Sequence, residues 1–319
     1  MRNNSNILLP FLLCVVALLI FSCSKDEDDE DGSDYAYNDW LSYSKVKIKR
    51  YASGIKAHQS TAAYGDYAVF VTDRHTHFYF YNLKEKKYVF DLRMKTGSGS
   101  DYRGNTLYHS NQSSFGPDKY TEEDDFPLLY ISQHAREDLR HFAEVFRIQA
   151  EWDDSLQEYK SFKANLVQTI YFPPMTNENS LGNINLAIDT LNRQMYTYSR
   201  NNNSGQENSG VCKITCFDLP ESHTGDVYLE DSDIKSSFYI DSSAVNMQGG
   251  CIQDGILYIG RGMYSAGYIY LYAVNLEMEA EVARIDILSK LHHWEPEGCF
   301  FYNGCVMLST TGGIWQFLK

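Results

Sequence analysis

From Ala62 to the end of the chain, apolar positions recur with the period of strands, and long helical periodicity is absent. Short runs rich in Tyr, Phe, Val and Ile alternate with clusters of Gly, Asn, Asp and Ser, the mark of an all-β chain. Three predicted hairpins share one form: Ala63 to Phe70 around Gly65-Asp66, Cys251 to Tyr258 around Asp254-Gly255, and Phe300 to Met307 around Asn303-Gly304. Asp-Gly and Asn-Gly between apolar runs are strong hairpin signals, because both central residues of a type I′ turn need a positive φ. Behind the hairpins come a third strand and an outer strand: His77 to Asn82 then Tyr88 to Met94, and Tyr268 to Asn275 then Glu281 to Ile287. The same order can be traced, with longer insertions, from Phe126 to Ile170, where the hairpin near Asp124 to Pro127 carries no turn marker, and from Ile184 to Ile240, marked by Asn192.

An inner hairpin followed by a third and an outer strand, repeated along the chain, is the signature of a β-propeller blade. The markers predict five four-stranded blades, or six if the long second or third unit conceals another. The last unit ends on a third strand, Gly313 to Phe317, with no fourth. Val46 to Tyr51, just before the first blade, alternates apolar and basic as an exposed outer strand should, and is predicted to complete the last blade and close the ring. The propeller domain spans residues 40–319.

In this architecture the connection entering each inner strand and the loop between second and third strands emerge on one face, around the central channel. The entrance row contains His58 and Gln59, His109 and Asn111 with Gln112, Asn183 and Asn185, Asn246 and Gln248, and Glu295 and Glu297. The second row contains Arg74, Gln133 and His134, Arg200, Arg261, and Thr310-Thr311. Turn residues are polar anyway, but this concentration of His, Gln, Asn and Arg predicts a polar site that binds a ligand. Tyr264 could add an aromatic face for a sugar ring.

Glu295-Pro296-Glu297-Gly298 sets two carboxylates two residues apart at a strand entrance, held by a proline. It resembles the Glu-Pro-Glu-Gly element of esterase-like, phytase-like and related calcium-associated propellers, a resemblance of four residues that implies calcium as a cofactor and a metal-assisted hydrolase. Physically, Glu295 or Glu297 could bind a hard cation with backbone carbonyls, act as a base if desolvated, or simply cap backbone amides of neighbouring blades. His292-His293 and the His134 to His141 spacing match no common zinc motif. Phosphate-loop, serine-hydrolase, zincin and CxxC motifs are absent from the sequence.

Composition narrows the partners. With 43% hydrophobic residues in 319, the chain buries a sizeable core, and a net charge of -14 gives nucleic acid no basic stripe. At the N-terminus Ile7 to Phe21 is apolar for fifteen residues, about 22 Å as helix against a hydrocarbon core of roughly 30 Å, so residues 1–22 are a signal peptide. Ser22-Cys23 at its end resembles the lipobox of bacterial lipoproteins, although Phe21 is bulky for that motif, and the resemblance implies a lipid-modified Cys23. Ser24-Lys25 and six consecutive acids, Asp26 to Asp31, follow. Like charges at that density form a solvated tether over residues 23–39. An EF-hand reading fails, because Asp31 and Tyr37 stand where Gly and Glu are needed. Lys plus acids resembles the export signal of Bacteroidota surface lipoproteins, and the whole chain resembles the cell-surface propeller lipoproteins of that group. The resemblance implies an outer-membrane lipoprotein facing outward. Its partners would be the membrane through a lipid anchor and an extracellular ligand, glycan or peptide, or a surface protein in whose complex it serves as a structural subunit.

Beyond the signal and Cys23 lie five cysteines. Cys212 and Cys216 share one face of a strand about 13 Å apart, too far to bond, and Cys251, Cys299 and Cys305 leave an odd number. The sequence leaves pairing open, with small buried hydrophobes as the ordinary role. The anchor itself is testable. Cys23→Ala should move the protein from the membrane fraction to the soluble one, whereas unchanged membrane retention would place the anchor elsewhere.

Overall fold

The computed structural model describes residues 46–73, 77–94, 109–137, 140–174, 184–200, 211–222, 225–240, 247–291 and 294–318. Its strands form five antiparallel blades. The first is β2 (Ser60–Tyr64), β3 (Tyr67–Val71), β4 (His77–Asn82) and β5 (Lys87–Arg93); the second is β6 (Ser110–Phe115), β7 (Leu129–Glu137), β8 (Arg140–Asp153) and β9 (Glu158–Tyr171). The third runs β10 (Asn185–Asp189), β11 (Gln194–Arg200), β12 (Cys212–Asp218) and β14 (Ile234–Ile240), the fourth β15 (Met247–Gln253), β16 (Ile256–Met263), β17 (Tyr268–Asn275) and β18 (Ala280–Asp286). The fifth combines β19 (Pro296–Tyr302), β20 (Cys305–Thr310) and β21 (Gly313–Leu318) with β1 (Lys47–Ser53). β1 lies antiparallel to β21 from Lys47 opposite Leu318 to Ser53 opposite Gly313, as the alternation of Val46 to Tyr51 predicts.

The turns follow the predicted chemistry in two of three hairpins. Asp254 and Gly255 take φ 51 and 73, Asn303 and Gly304 take φ 49 and 71, and at Gly65-Asp66 only the glycine is positive, at φ 54. A further strand, β13 (Gly225–Tyr228), is not legible in the sequence. It leaves the connection between β12 and β14 and pairs in parallel with the end of β9, so the second sheet has five strands.

Burial explains the strand composition. A blade is covered on both faces by its neighbours, so inner strands such as β3 (YAVFV) and β10 (NLAID) are almost wholly buried, while the outer strands β5 and β1 alternate. Each junction has its own apolar core. Phe78, Phe80, Phe146 and Phe162 fill the first-to-second, Leu128, Tyr130, Leu186 and Met195 the second-to-third, and Tyr198, Ile214, Leu257 and Tyr272 the third-to-fourth. Leu271, Ile285, Leu308 and Phe317 fill the fourth-to-fifth, and Phe70, Tyr81, Phe300 and Met307 the fifth-to-first. A core between the fifth and first blades closes the circle, so the blades number five and not six.

At the axis the inner strands crowd together. A Cβ on Gly249 would fall 2.3 Å from the Cα of Gly298, one on Gly298 2.6 Å from the Cβ of Thr61, and one on Gly250 2.5 Å from the Tyr198 hydroxyl. None of the three takes a positive φ, so these positions need space and not backbone freedom.

Closure by β1 is the step most exposed to test. Ala52 is buried in the fifth-to-first core, Ile48 packs on the fourth-to-fifth one, and Arg50 donates to the Gly312 carbonyl at 2.8 Å while lying over Trp315. Removing residues 41–52 should cost roughly 3 to 5 kcal/mol of a total of about 5 to 15, lowering the melting temperature by about 10 °C. An unchanged melting temperature would show that β1 contributes nothing to closure.

Candidate functional site

Polar side chains of the entrance row bond a neighbouring blade at every junction, to another entrance-row side chain at three of them and to the loop after β3 or a backbone carbonyl at the other two. Between the first and second blades His109 Nδ1 lies 2.7 Å from Asp73, and the Ser110 hydroxyl donates to the Thr72 carbonyl at 3.2 Å. The Asn111 amide donates to the Asn185 side-chain carbonyl between the second and third, and the Asn185 amide to the Met247 carbonyl at 3.4 Å between the third and fourth. Gln248 Nε2 donates to Glu295 at 2.8 Å between the fourth and fifth, and Gln59 Nε2 to Glu297 at 3.1 Å between the fifth and first. Gln112 crosses the axis itself, its Nε2 donating to the Gly250 carbonyl at 2.6 Å. The site is therefore a belt in which inner strands hold one another through side chains.

His58 is a strut of this belt. Its Nδ1 lies 2.8 Å from the Lys56 carbonyl, an acceptor only, so Nδ1 carries the proton and Nε2 accepts from the Ser309 hydroxyl at 2.9 Å. The Thr61 hydroxyl lies 2.8 Å from Ser309 and continues the chain of bonds. Burial holds the His58 ring down at about 4, so it is neutral at physiological pH. Glu297 is neutral as well: burial, with the charge of Glu295 adding to it, pushes its carboxyl up to about 9. Glu297 is 7% exposed, Gln248 likewise, and the Oε1 atoms of Gln112 and Gln248 are buried with no hydrogen-bond partner among the described residues.

The other expected site residues scatter. Arg261 is buried within the fourth blade, donating to the Tyr272 hydroxyl at 2.7 Å and lying over the rings of Tyr268 and Tyr272. Arg200 is exposed at the end of β11, and Tyr264 is exposed on the turn between β16 and β17. Arg74, Asn183, Asn246 and His292-His293 lie outside the described residues, as do the side chain of His134 and the whole of the signal, Cys23 and the acidic tether. Among the described residues no three His, Cys, Asp or Glu side chains come together as a metal site. Ser309, Thr61 and Asn185 belong to the belt by position, and the alternation of β20, which sends Ser309 inward, is the signal that could have found Ser309.

A cavity of about 420 Å³ opens at the opposite, hairpin end of the channel. Tyr64, Ser113, Phe115, Cys251, Cys299 and Phe301 line it. Composition does not point there, because its polar groups are small.

A closed five-bladed propeller with a polar belt at one channel end and a cavity at the other defines the class of protein. No protein-family model matches the chain, and no curated protein sequence matches it. Among solved structures it is similar to Myxococcus xanthus glutaminyl cyclase, at 9% identity over 85% of this chain and 94% of that one, with a TM-score of 0.44. It is similar to a putative oxidoreductase (glucose dehydrogenase) of Thermus thermophilus, at 10% identity over 86% and 100%, TM-score 0.42. A chain of a nidogen/laminin complex aligns at 10% identity over 77% and 70%, TM-score 0.38. At this distance the likeness is one of overall shape and says nothing of chemistry.

The two neutral groups set the pH response. The folded chain keeps the Glu297 proton up to about 9 and the unfolded chain releases it near 4.5, so the folded state binds more protons in between. This contribution to stability is full below the lower value and falls as pH rises toward the upper. His58 acts oppositely: its contribution is lost as pH falls from 6.5 toward about 4. Glu297→Gln keeps an acceptor for Gln59 and removes the proton. Between about pH 5 and about pH 9 the parent's melting temperature should fall relative to that of Glu297→Gln. Parallel profiles would mean that Glu297 is ionised in the native state.

Proposed function

We propose that the protein is a lipid-anchored binding module on the outer face of the outer membrane, taking an uncharged, hydrogen-bonding ligand, a glycan or a peptide, at the entrance end of its channel. One observation carries the reading: the buried Oε1 of Gln248 has no hydrogen-bond partner among the described residues, while its Nε2 is held by Glu295 and burial keeps the carboxyl of Glu297, two residues on, neutral. A buried acceptor without a donor costs about 1 to 3 kcal/mol, and a ligand hydroxyl or amide N–H at the axis recovers it. The Glu297 carboxyl supplies a donor to the same ligand. Glu295 disfavours phosphate or carboxylate there. The exposed ring of Tyr264 offers an apolar face on the loops around this end. The anchor rests on Cys23 and the acidic tether that follows it.

The rival is a calcium-assisted hydrolase. Its support is that Glu295 and Glu297 are close enough for the charge of one to raise the other, a repulsion that a bound cation would relieve. Against it, each carboxyl group already accepts a glutamine amide. Melting temperatures measured with soluble polysaccharides, oligopeptides, calcium and EDTA separate the readings. A neutral probe at a hundred times its dissociation constant should stabilise the parent by about 2.7 kcal/mol, and Gln248→Leu should lose most of that effect. A calcium-dependent rise that disappears when Glu295 and Glu297 are both changed to Gln, together with hydrolysis of an ester or phosphate ester, would overturn the proposal in favour of the enzyme.

A further inference from the structure

The hairpin-end cavity carries chemistry that the entrance end lacks. Cys251 on β15 and Cys299 on β19 belong to different blades, yet their sulfur atoms are 3.4 Å apart. Both line the cavity, and they differ in access: Cys251 is half-buried, while Cys299 is 1% exposed. The remaining described cysteines are placed otherwise. Cys212 and Cys216 are buried in the third-to-fourth core, and the Cys305 sulfur accepts from Gln316 Nε2 at 3.3 Å. The strands that bear the pair are already in backbone contact close by, at Gly249, two residues before Cys251, and Gly298, next to Cys299. A disulfide bond is about 2.05 Å long, so bonding requires the sulfurs to approach by roughly 1.4 Å, and no blade has to move far.

We infer that Cys251 and Cys299 form a dithiol–disulfide site that exchanges with low-molecular-weight disulfides admitted through the hairpin-end cavity. The order of steps follows from access. The Cys251 thiol loses its proton to solvent, and its thiolate attacks one sulfur of a small disulfide such as oxidised glutathione. A mixed disulfide forms and one glutathione thiolate leaves. Cys299, protected behind Cys251, then loses its proton and attacks the Cys251 sulfur, expelling the second glutathione thiolate. The two thiolates take up the two protons, so two cysteines and one oxidised glutathione become one cystine and two reduced glutathiones. Burial raises the Cys299 thiol well above its ordinary range, which makes it the resolving and not the attacking cysteine. Ser113, whose buried hydroxyl has no hydrogen-bond partner among the described residues, lines the same cavity. The cystine staples the inner strands of the fourth and fifth blades, the same two blades that Gln248 and Glu295 join at the belt.

The test uses the full chain, equilibrated with reduced or with oxidised glutathione, then denatured, alkylated with N-ethylmaleimide and digested with trypsin for mass measurement. After oxidised glutathione the wild type and Cys305→Ser should each take up two fewer maleimides and yield the Cys251 and Cys299 peptides joined, lighter by two hydrogen atoms. Cys299→Ala should stop with glutathione on Cys251, and Cys251→Ser should leave Cys299 reduced. The melting temperature of the oxidised wild type should exceed that of the reduced one, with no such difference in either variant. Full alkylation of both thiols after oxidation, a cross-link that persists in Cys299→Ala through Cys305, or a wild type that stops at the mixed disulfide would each overturn the assignment.

Discussion

Crowding of five inner strands around one axis is the constraint on which the rest of the structure depends. With so few blades, β15 and β19 approach until no side chain fits between Gly249 and Gly298, Gly298 also makes room for the Thr61 side chain of β2, and Gly250 makes room for the Tyr198 hydroxyl. Polar groups trapped at that radius have no route to bulk water and must satisfy one another, because an unpaired buried polar group costs more than a paired one returns. Hence the belt: the amides of Asn111, Gln248 and Gln59 each find an acceptor on the next blade, and Gln112 finds one across the axis, while the Oε1 atoms of Gln112 and Gln248 stay without a partner among the described residues. The apolar cores between blades supply non-directional stabilisation, and the belt fixes which strand sits beside which.

The architecture was legible in the chain because its signals are local. Turn chemistry at Asp254-Gly255 and Asn303-Gly304, strand-length apolar runs, and a last unit one strand short of the others all follow from neighbours in sequence. β13 escaped detection because four residues, GDVY, pairing with an edge outside their own blade have no local signature. The site was half legible. Sequence position located the belt residues, but whether a polar side chain becomes a strut or a ligand contact depends on its distance from the axis and on what stands on the next blade. His58 illustrates this. Its residue type suggests chemistry, while its two ring nitrogens are consumed by Lys56 and Ser309 and its burial keeps it neutral. Arg261 likewise spends its guanidinium on the tyrosines of its own blade.

Charge follows the same logic. The chain is strongly acidic overall, yet the belt holds its most buried titratable groups, His58 and Glu297, in uncharged forms. Desolvation dominates both shifts, and it is the axial crowding that excludes solvent. Glu295, less buried and two residues away, lies on the other side of this boundary, so a step of two residues spans a change from a solvated carboxyl to a desolvated one. Such a gradient puts two identical side chains in different environments two residues apart, the charge of one adding to the burial that keeps the other protonated.

The two ends of the channel differ for a geometric reason. Inner strands that touch at Gly249 and Gly298 diverge toward their hairpins, and the space between them becomes the cavity lined by Ser113, Phe115, Cys251 and Cys299. At the crowded end, specificity comes from directional bonds among rigid partners. At the open end, small polar groups and aromatic edges leave room for a molecule to enter. Cys251 and Cys299 sit just beyond the closest approach, where backbones are near enough to bring two sulfurs together and far enough apart to leave one of them reachable. The glycines that force the belt to satisfy itself therefore also set the separation of the thiols, and a change at either glycine would disturb both ends of the channel together.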